Sequence, residues 1–134
     1  NSQVELKEKR DRVEDAIYAT KAALQEGIVA GGGVALLNAS TTIVPDNDGE
    51  ALLLKAITKP FDVILENANL ECPSKLKFGE GLNVVTGDKV NMVKAGIIDP
   101  VLVTKAALIN AVSVAKTVMS ADCIISNMRT NESS

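Results

Sequence analysis

Three consecutive glycines, Gly31-Gly32-Gly33, separate two alanine-rich apolar stretches and constrain this chain more than any other feature. Glycine has no Cβ and adopts positive φ cheaply, so such a run lets another group come very close to the backbone. The residues after it, Val34 to Leu37, open a second apolar helix. A helix start offers free N–H groups and the positive end of a dipole to a polar or anionic group. A glycine run at a helix junction also has a plainer use, as geometry that lets two elements pack.

Around this junction the pattern is helical. Ser2-Gln3-Val4-Glu5 has the spacing of a capping box, and Glu5/Lys9 and Glu8/Arg12 stand four apart in the helix-supporting order. Leu6, Val13, Ile17 and Leu24 then share one face of a long first helix, which Gly27 is placed to end. Asp15 projects from the opposite face, near Asp11, Tyr18 and Ala22, where its simplest role is a solvated charge. A second helix runs from Gly33 to about Thr42 and stops in the breaker cluster Val44-Pro45-Asp46-Asn47-Asp48-Gly49. A third covers 50–67, with Pro60 expected to kink or interrupt it near Lys59.

The segment 70–80 reads as irregular. Two short strands, Leu82 to Thr86 and Lys89 to Met92, are expected to form a hairpin around Gly87-Asp88. Asp99-Pro100 places an N-cap residue before a proline at the first helical position. Val103, Ala106, Ala107, Asn110, Ala111, Val114 and Val118 then recur at helical spacing to about Ser120. Cys123 and Ile124 open a short terminal strand, followed by a polar tail.

Composition removes several function classes. Aromatic residues are 2% of the 134, so the core must be built from Ala, Val, Ile and Leu, which favours closely approaching helices. A net charge of −3 leaves no basic stripe for nucleic acid. No uninterrupted run of eighteen apolar residues spans a bilayer, so a membrane is not an expected partner either. With no histidine, a histidine-liganded metal and a histidine-dependent triad are excluded. Cys72 and Cys123, without a CxxC motif, read as reduced thiols in a cytosol-like compartment.

Several ordered motifs together resemble one family. Glu5-Leu6-Lys7-Glu8-Lys9, Arg12-Val13-Glu14-Asp15-Ala16 and Ala19-Thr20-Lys21-Ala22-Ala23 lead into Glu26-Gly27-Ile28-Val29-Ala30-Gly31-Gly32-Gly33-Val34-Ala35-Leu36. Gly96-Ile97-Ile98-Asp99-Pro100, Val103-Thr104-Lys105-Ala106-Ala107-Leu108 and Ser113-Val114-Ala115 come next in the same order. This is similar to the C-terminal part of a group I chaperonin subunit, the GroEL type. The resemblance implies a mainly α fold: an equatorial-domain-like helical bundle with a small β-hairpin and a short C-terminal strand, preceded by a long intermediate-domain helix. Residues 1–27 would be that returning helix of the hinge domain, and 28–134 the C-terminal half of the equatorial ATP-binding domain. Family subunits are several times longer, and in them the phosphate loop, the Mg²⁺ ligand and the apical domain lie outside the part that matches.

The resemblance also assigns roles. Asp15 matches the aspartate that swings onto the nucleotide pocket and orients the attacking water. Gly31 and Gly32 match glycines that lie against the sugar and base of ATP. Asp99 matches the acceptor of the ribose hydroxyls, a role compatible with capping a helix. Asn83 and Val84 match the hairpin positions at the adenine edge, and Ile97 the apolar residue beneath the ring. Val84 stands where alanine is common in the family, the stretch before Asn83 is shorter than usual, and Lys116 replaces a small residue. No metal ligand is expected in this chain. The implied cofactor is ATP with Mg²⁺.

The implied partners are a homo-oligomeric double ring of heptamers, a lid co-chaperonin and unfolded proteins, the last two through the apical domain. The implied setting is the bacterial cytoplasm, or else a mitochondrial or plastid matrix. The implied activity is ATP-dependent folding and refolding, in which this chain alone would be inactive as an ATPase. It is expected to self-associate or to be partly molten, because apolar faces are left uncovered. The competing expectation is a non-catalytic helical interaction module on a chaperonin scaffold, with the glycines as packing devices and Asp15 as surface charge.

Overall fold

The structure is a computed structural model that describes residues 3–121. The first helix, α1, spans Gln3–Glu26. It stops where expected: Gly27 takes φ +84° and its N–H donates to the Ala23 carbonyl at 2.8 Å, a left-handed C-terminal cap. Exposed ion pairs Arg12–Glu8 and Arg10–Glu14, one turn apart, run along its surface.

Between the two expected helices lies an element the sequence pattern did not mark. Ile28–Ala30 forms a strand, β1, antiparallel to Ile98–Pro100, which is β4, with Val29 opposite Asp99. The left-handed Gly27 redirects the chain and β-branched Ile28 and Val29 suit an extended one. The same pairing corrects the reading of Asp99-Pro100. The last helix, α5, begins at Val101 and runs to Met119, so Asp99 lies inside a strand, one position further from the helix than an N-cap. The Val101 N–H donates to the Gly27 carbonyl at 3.1 Å, tying the start of α5 to the end of α1.

Between the paired strands the chain builds a lobe. Helix α2 is Val34–Thr42, α3 is Asp48–Ala56 and α4 is Lys59–Asn67. The Asn47 side chain accepts from the Glu50 N–H at 2.9 Å while the Glu50 carboxylate accepts from the Asp46 N–H, a reciprocal cap at the start of α3. Pro60 breaks the third helical stretch in two as expected, sitting in the first turn of α4, where a missing N–H costs nothing. Just beyond the end of α4, Asn69 adopts φ +54°.

The hairpin pairs β2, Glu80–Leu82, with β3, Lys89–Asn91. Its first strand ends earlier than the apolar pattern indicated. The Asn83 side chain accepts from the Val85 N–H at 3.0 Å, and the Asn83 carbonyl accepts from Gly87 at 2.7 Å. This local turn chemistry outcompetes extension of the strand through Val84 and Val85.

The core of the lobe is small and aliphatic apart from one ring: Ala30, Val34, Phe61, Leu65 and Met92, with Leu37, Leu70, Leu76, Leu82, Val90 and Ile97 packed against it. Val34 is fully buried, directly after the triple glycine. The chain divides at residues 104/105 into two units, the second of which, among the described residues, is the remainder of α5. This helix buries none of its residues, and by length and composition alone it also reaches across a bilayer, although Lys105 and Lys116 interrupt its apolar surface. The expected terminal strand at Cys123 and Ile124, and the Ser2 cap, lie outside the described residues. The described part is mainly α with a small hairpin, as the resemblance implied, and carries the β1–β4 pair as a second small antiparallel sheet.

Candidate nucleotide-binding site

The triple glycine is where the β1–β4 ladder meets the lobe. The Gly31 N–H donates to the Ile97 carbonyl at 2.9 Å, and a Cβ on Gly31 would stand 3.1 Å from the Ile98 nitrogen. At Gly32, φ is +63° and a Cβ would meet the Met92 methyl at 2.9 Å. At Gly33, φ is +77° and a Cβ would fall 2.7 Å from the Phe61 backbone nitrogen. The direction in which each side chain would grow is thus filled by the chain's own atoms. The close approach these glycines permit is, within this chain, that of β4, the hairpin and the first turn of α4.

Ile97 belongs to the same hydrogen-bond network. Its N–H donates to the Met92 carbonyl at 2.9 Å while its carbonyl accepts from Gly31, so it bridges hairpin and ladder and packs on the core. Two residues on, Asp99 lines a cavity of about 180 Å³ with Ile98 and Pro100 of its own strand and Ala19, Thr20 and Ala23 of α1. Desolvation against these apolar neighbours raises the Asp99 carboxyl above its ordinary range.

Asp15 lies on α1, exposed, one helical turn before Ala19. At about 100° per residue, its direction falls close to that of Ala22 and roughly opposite the Leu6, Val13, Ile17, Leu24 face. Ala22 is the buried residue of α1. The helix therefore packs on β4 through its alanines, Ala19, Ala22 and Ala23, and the leucine-bearing face that periodicity picks out is exposed within this chain. The physical reason is closeness: only small side chains allow a helix backbone to lie against a two-stranded ribbon at this distance. Asp15 consequently shares the face that turns toward the strand carrying Asp99.

Asn83 and Val84 occupy the hairpin loop. The Asn83 amide oxygen is engaged by Val85, and Val84 is partly exposed. The structure thus groups Gly31, Gly32, Ile97 and Asp99 around the ladder, with Asp15 on the helix face above it, and carries Asn83 and Val84 on a separate element. Thr20 was missed in the sequence. Its hydroxyl donates to the Ala16 carbonyl at 2.7 Å and it lines the Asp99 cavity; the alanine pattern at 19, 22 and 23 was the available signal. Among the described residues no group of three or more Asp, Glu, Cys or His side chains is placed to hold a metal ion.

Comparison with known families gives one match that covers nearly the whole chain: the TCP-1/cpn60 chaperonin family model aligns with residues 1–129.

Proposed function

The chain belongs to the TCP-1/cpn60 chaperonin family, and from that premise we propose that it supplies the base-and-ribose side of an ATP pocket together with the carboxylate that orients the attacking water. Its role is then in chaperonin-assisted protein folding. The observation that carries the reading is the orientation of α1: its Asp15-bearing face, not its leucine face, turns toward the strand that holds Asp99.

The residues present fit the sugar end of a nucleotide. Asp99 offers carboxylate oxygens beside an apolar wall, able to accept from two neighbouring hydroxyls, and Ile97 contributes an aliphatic surface for a ring. When bound, ATP with Mg²⁺ supplies the phosphoryl group and the charge neutralisation that its transfer needs. Asp15 holds and aligns a water for in-line attack, a task of placement rather than covalent chemistry. Rotation of α1 about its Gly27 end moves Asp15 relative to Asp99, so hydrolysis is tied to the position of that helix.

The phosphate cradle and the Mg²⁺ ligand come, in this reading, from another part of the subunit, and the chain alone does not turn over ATP. The ring of subunits, the lid co-chaperonin and the unfolded client are partners of that complete subunit, in the bacterial cytoplasm or an organelle matrix. A second reading, a helical interaction module without nucleotide chemistry, draws support from the glycines, whose free space is taken by Phe61, Met92 and Ile98.

Calorimetry separates the two. The chain is titrated with ATP and Mg²⁺ before and after mixing with a separately expressed N-terminal half of a chaperonin equatorial domain. Binding that appears only on mixing supports the half-pocket. A chain indifferent to both partner and nucleotide overturns it.

A further inference from the structure

Helix α1 is held at one end. The left-handed cap at Gly27 and the bond from the Val101 N–H to the Gly27 carbonyl fix its last turn, and its C-terminal alanines rest on β4. Asp15 stands twelve residues before Gly27, about 18 Å along the axis at roughly 1.5 Å per residue. A tilt of about 10° at the Gly27 end carries Asp15 through roughly 3 Å, whereas a misplacement of about 1 Å already costs a positioned group on the order of a hundredfold in rate. Holding Asp15 in place therefore calls for a second fixed point closer to it.

The cavity of about 180 Å³ between α1 and β4 contains the groups for one. Of the side chains that line it, two are polar, Thr20 of α1 and Asp99 of β4; the others are alanine, isoleucine and proline. We propose that Thr20 is a positioning residue: when α1 settles into this cavity, its hydroxyl donates to the Asp99 carboxylate and fixes the angle at which the helix holds Asp15. The inference rests on the nucleotide reading given above and adds to it the group that latches the helix.

Thr20 suits this task chemically. Its hydroxyl donates to the Ala16 carbonyl at 2.7 Å, one turn back along its own helix. That bond is dispensable, because such back-bonding slightly destabilises and bends a helix. Threonine also has two χ1 rotamers open to it in a helix, so the hydroxyl can leave the carbonyl without strain. On the other side, desolvation raises the Asp99 carboxyl, and a donor brought to it favours the ionised form. A carboxylate has acceptor sites on both oxygens, one for the ribose and one for Thr20. A sugar held on the first oxygen orients the second, which links nucleotide binding to the position of α1.

Turnover kinetics of the complete chaperonin subunit carrying these residues test this. Thr20→Val, which keeps the size and the branched Cβ, is expected to lower kcat roughly tenfold, the worth of one hydrogen bond to a charged group, with the KM for ATP unchanged. Thr20→Ser, which keeps the hydroxyl, is expected to retain the parent kcat. In an Asp99→Ala background at saturating ATP, Thr20→Val is expected to cost nothing further, because its acceptor is gone. An unchanged kcat in Thr20→Val overturns the proposal. So does an equal loss in the Asp99→Ala background, or a loss shared by Thr20→Ser, since either would place the effect in the helix itself. Asp15→Ala, measured alongside, separates the two levels. If it leaves turnover intact, the nucleotide reading falls and the latch with it; if it lowers turnover while Thr20→Val does not, the latch alone falls.

Discussion

A Cβ placed on Gly33 would lie 2.7 Å from the backbone nitrogen of Phe61, so the start of α2 and the first turn of α4 touch backbone to backbone. Nothing flexible lies at the point of contact to give way, and φ at Gly33 is +77°, in the left-handed region. Gly33→Ala is therefore expected to destabilise the chain by about 2–4 kcal/mol, through strain and overpacking together. Gly96→Ala, also at positive φ but with open space around it, is expected to cost only about 1 kcal/mol. Urea unfolding of both variants, followed by circular dichroism, checks the contrast.

Phe61 supplies the one large ring in a core otherwise made of Ala30, Val34, Leu65 and Met92. Phe61→Ala is expected to cost about 3–5 kcal/mol, because neighbours on three different elements cannot all collapse into the space. A stability loss below about 1 kcal/mol in urea unfolding would mean that the lobe is packed otherwise.

Asp99 gives a signed dependence on pH. Its carboxyl titrates above the ordinary 3.8 in the folded chain, so between that value and its raised one the folded state holds the proton more tightly than the unfolded state. Stability from this group is therefore greatest in acid and falls as pH rises through the window. Asp99→Asn is expected to flatten that part of the stability curve and to leave the chain no less stable at neutral pH. Melting temperatures at a series of pH values test it. If Asp99 accepts from ribose hydroxyls, the same variant lowers nucleotide affinity in the mixed half-domains.

Asp15 is expected to separate chemistry from binding. In the complete chaperonin subunit, Asp15→Ala should lower the rate of ATP hydrolysis by roughly 10²–10⁴-fold, the range for a lost positioned proton acceptor, with ATP affinity unchanged. In this chain the same change, at an exposed helical site, should alter stability by less than about 0.5 kcal/mol. Unchanged turnover would assign Asp15 to the surface.

The legible part of the fold was the part written in local signals. Gly27 ended α1, Pro60 split α3 from α4, and the Gly87 turn marked the hairpin, because each acts within a turn of its own position. The β1–β4 ladder was not legible: three residues on each side carry no alternating pattern, and each strand depends on a partner far away in sequence. Which face of α1 packs within this chain was not legible for a related reason. Size outranks hydrophobicity where backbones must nearly touch, so the small Ala22 was buried and the leucines were not. As for the site, the grouping of Gly31, Ile97 and Asp99 came from resemblance rather than from any spacing, and Thr20 entered only once α1 was seen against β4.

The ladder that joins Ile28–Ala30 to Ile98–Pro100 has a kinetic consequence. Its strands are about seventy residues apart, so closing it first would cost the entropy of a long loop for only three residue pairs. Helices α3 and α4 and the hairpin, all local, can form beforehand and shorten that loop. The closure is then the late, slow step of folding, and α1 gains its footing only after it. During synthesis, a ribosome must release the whole of β4 before α1 can pack against it.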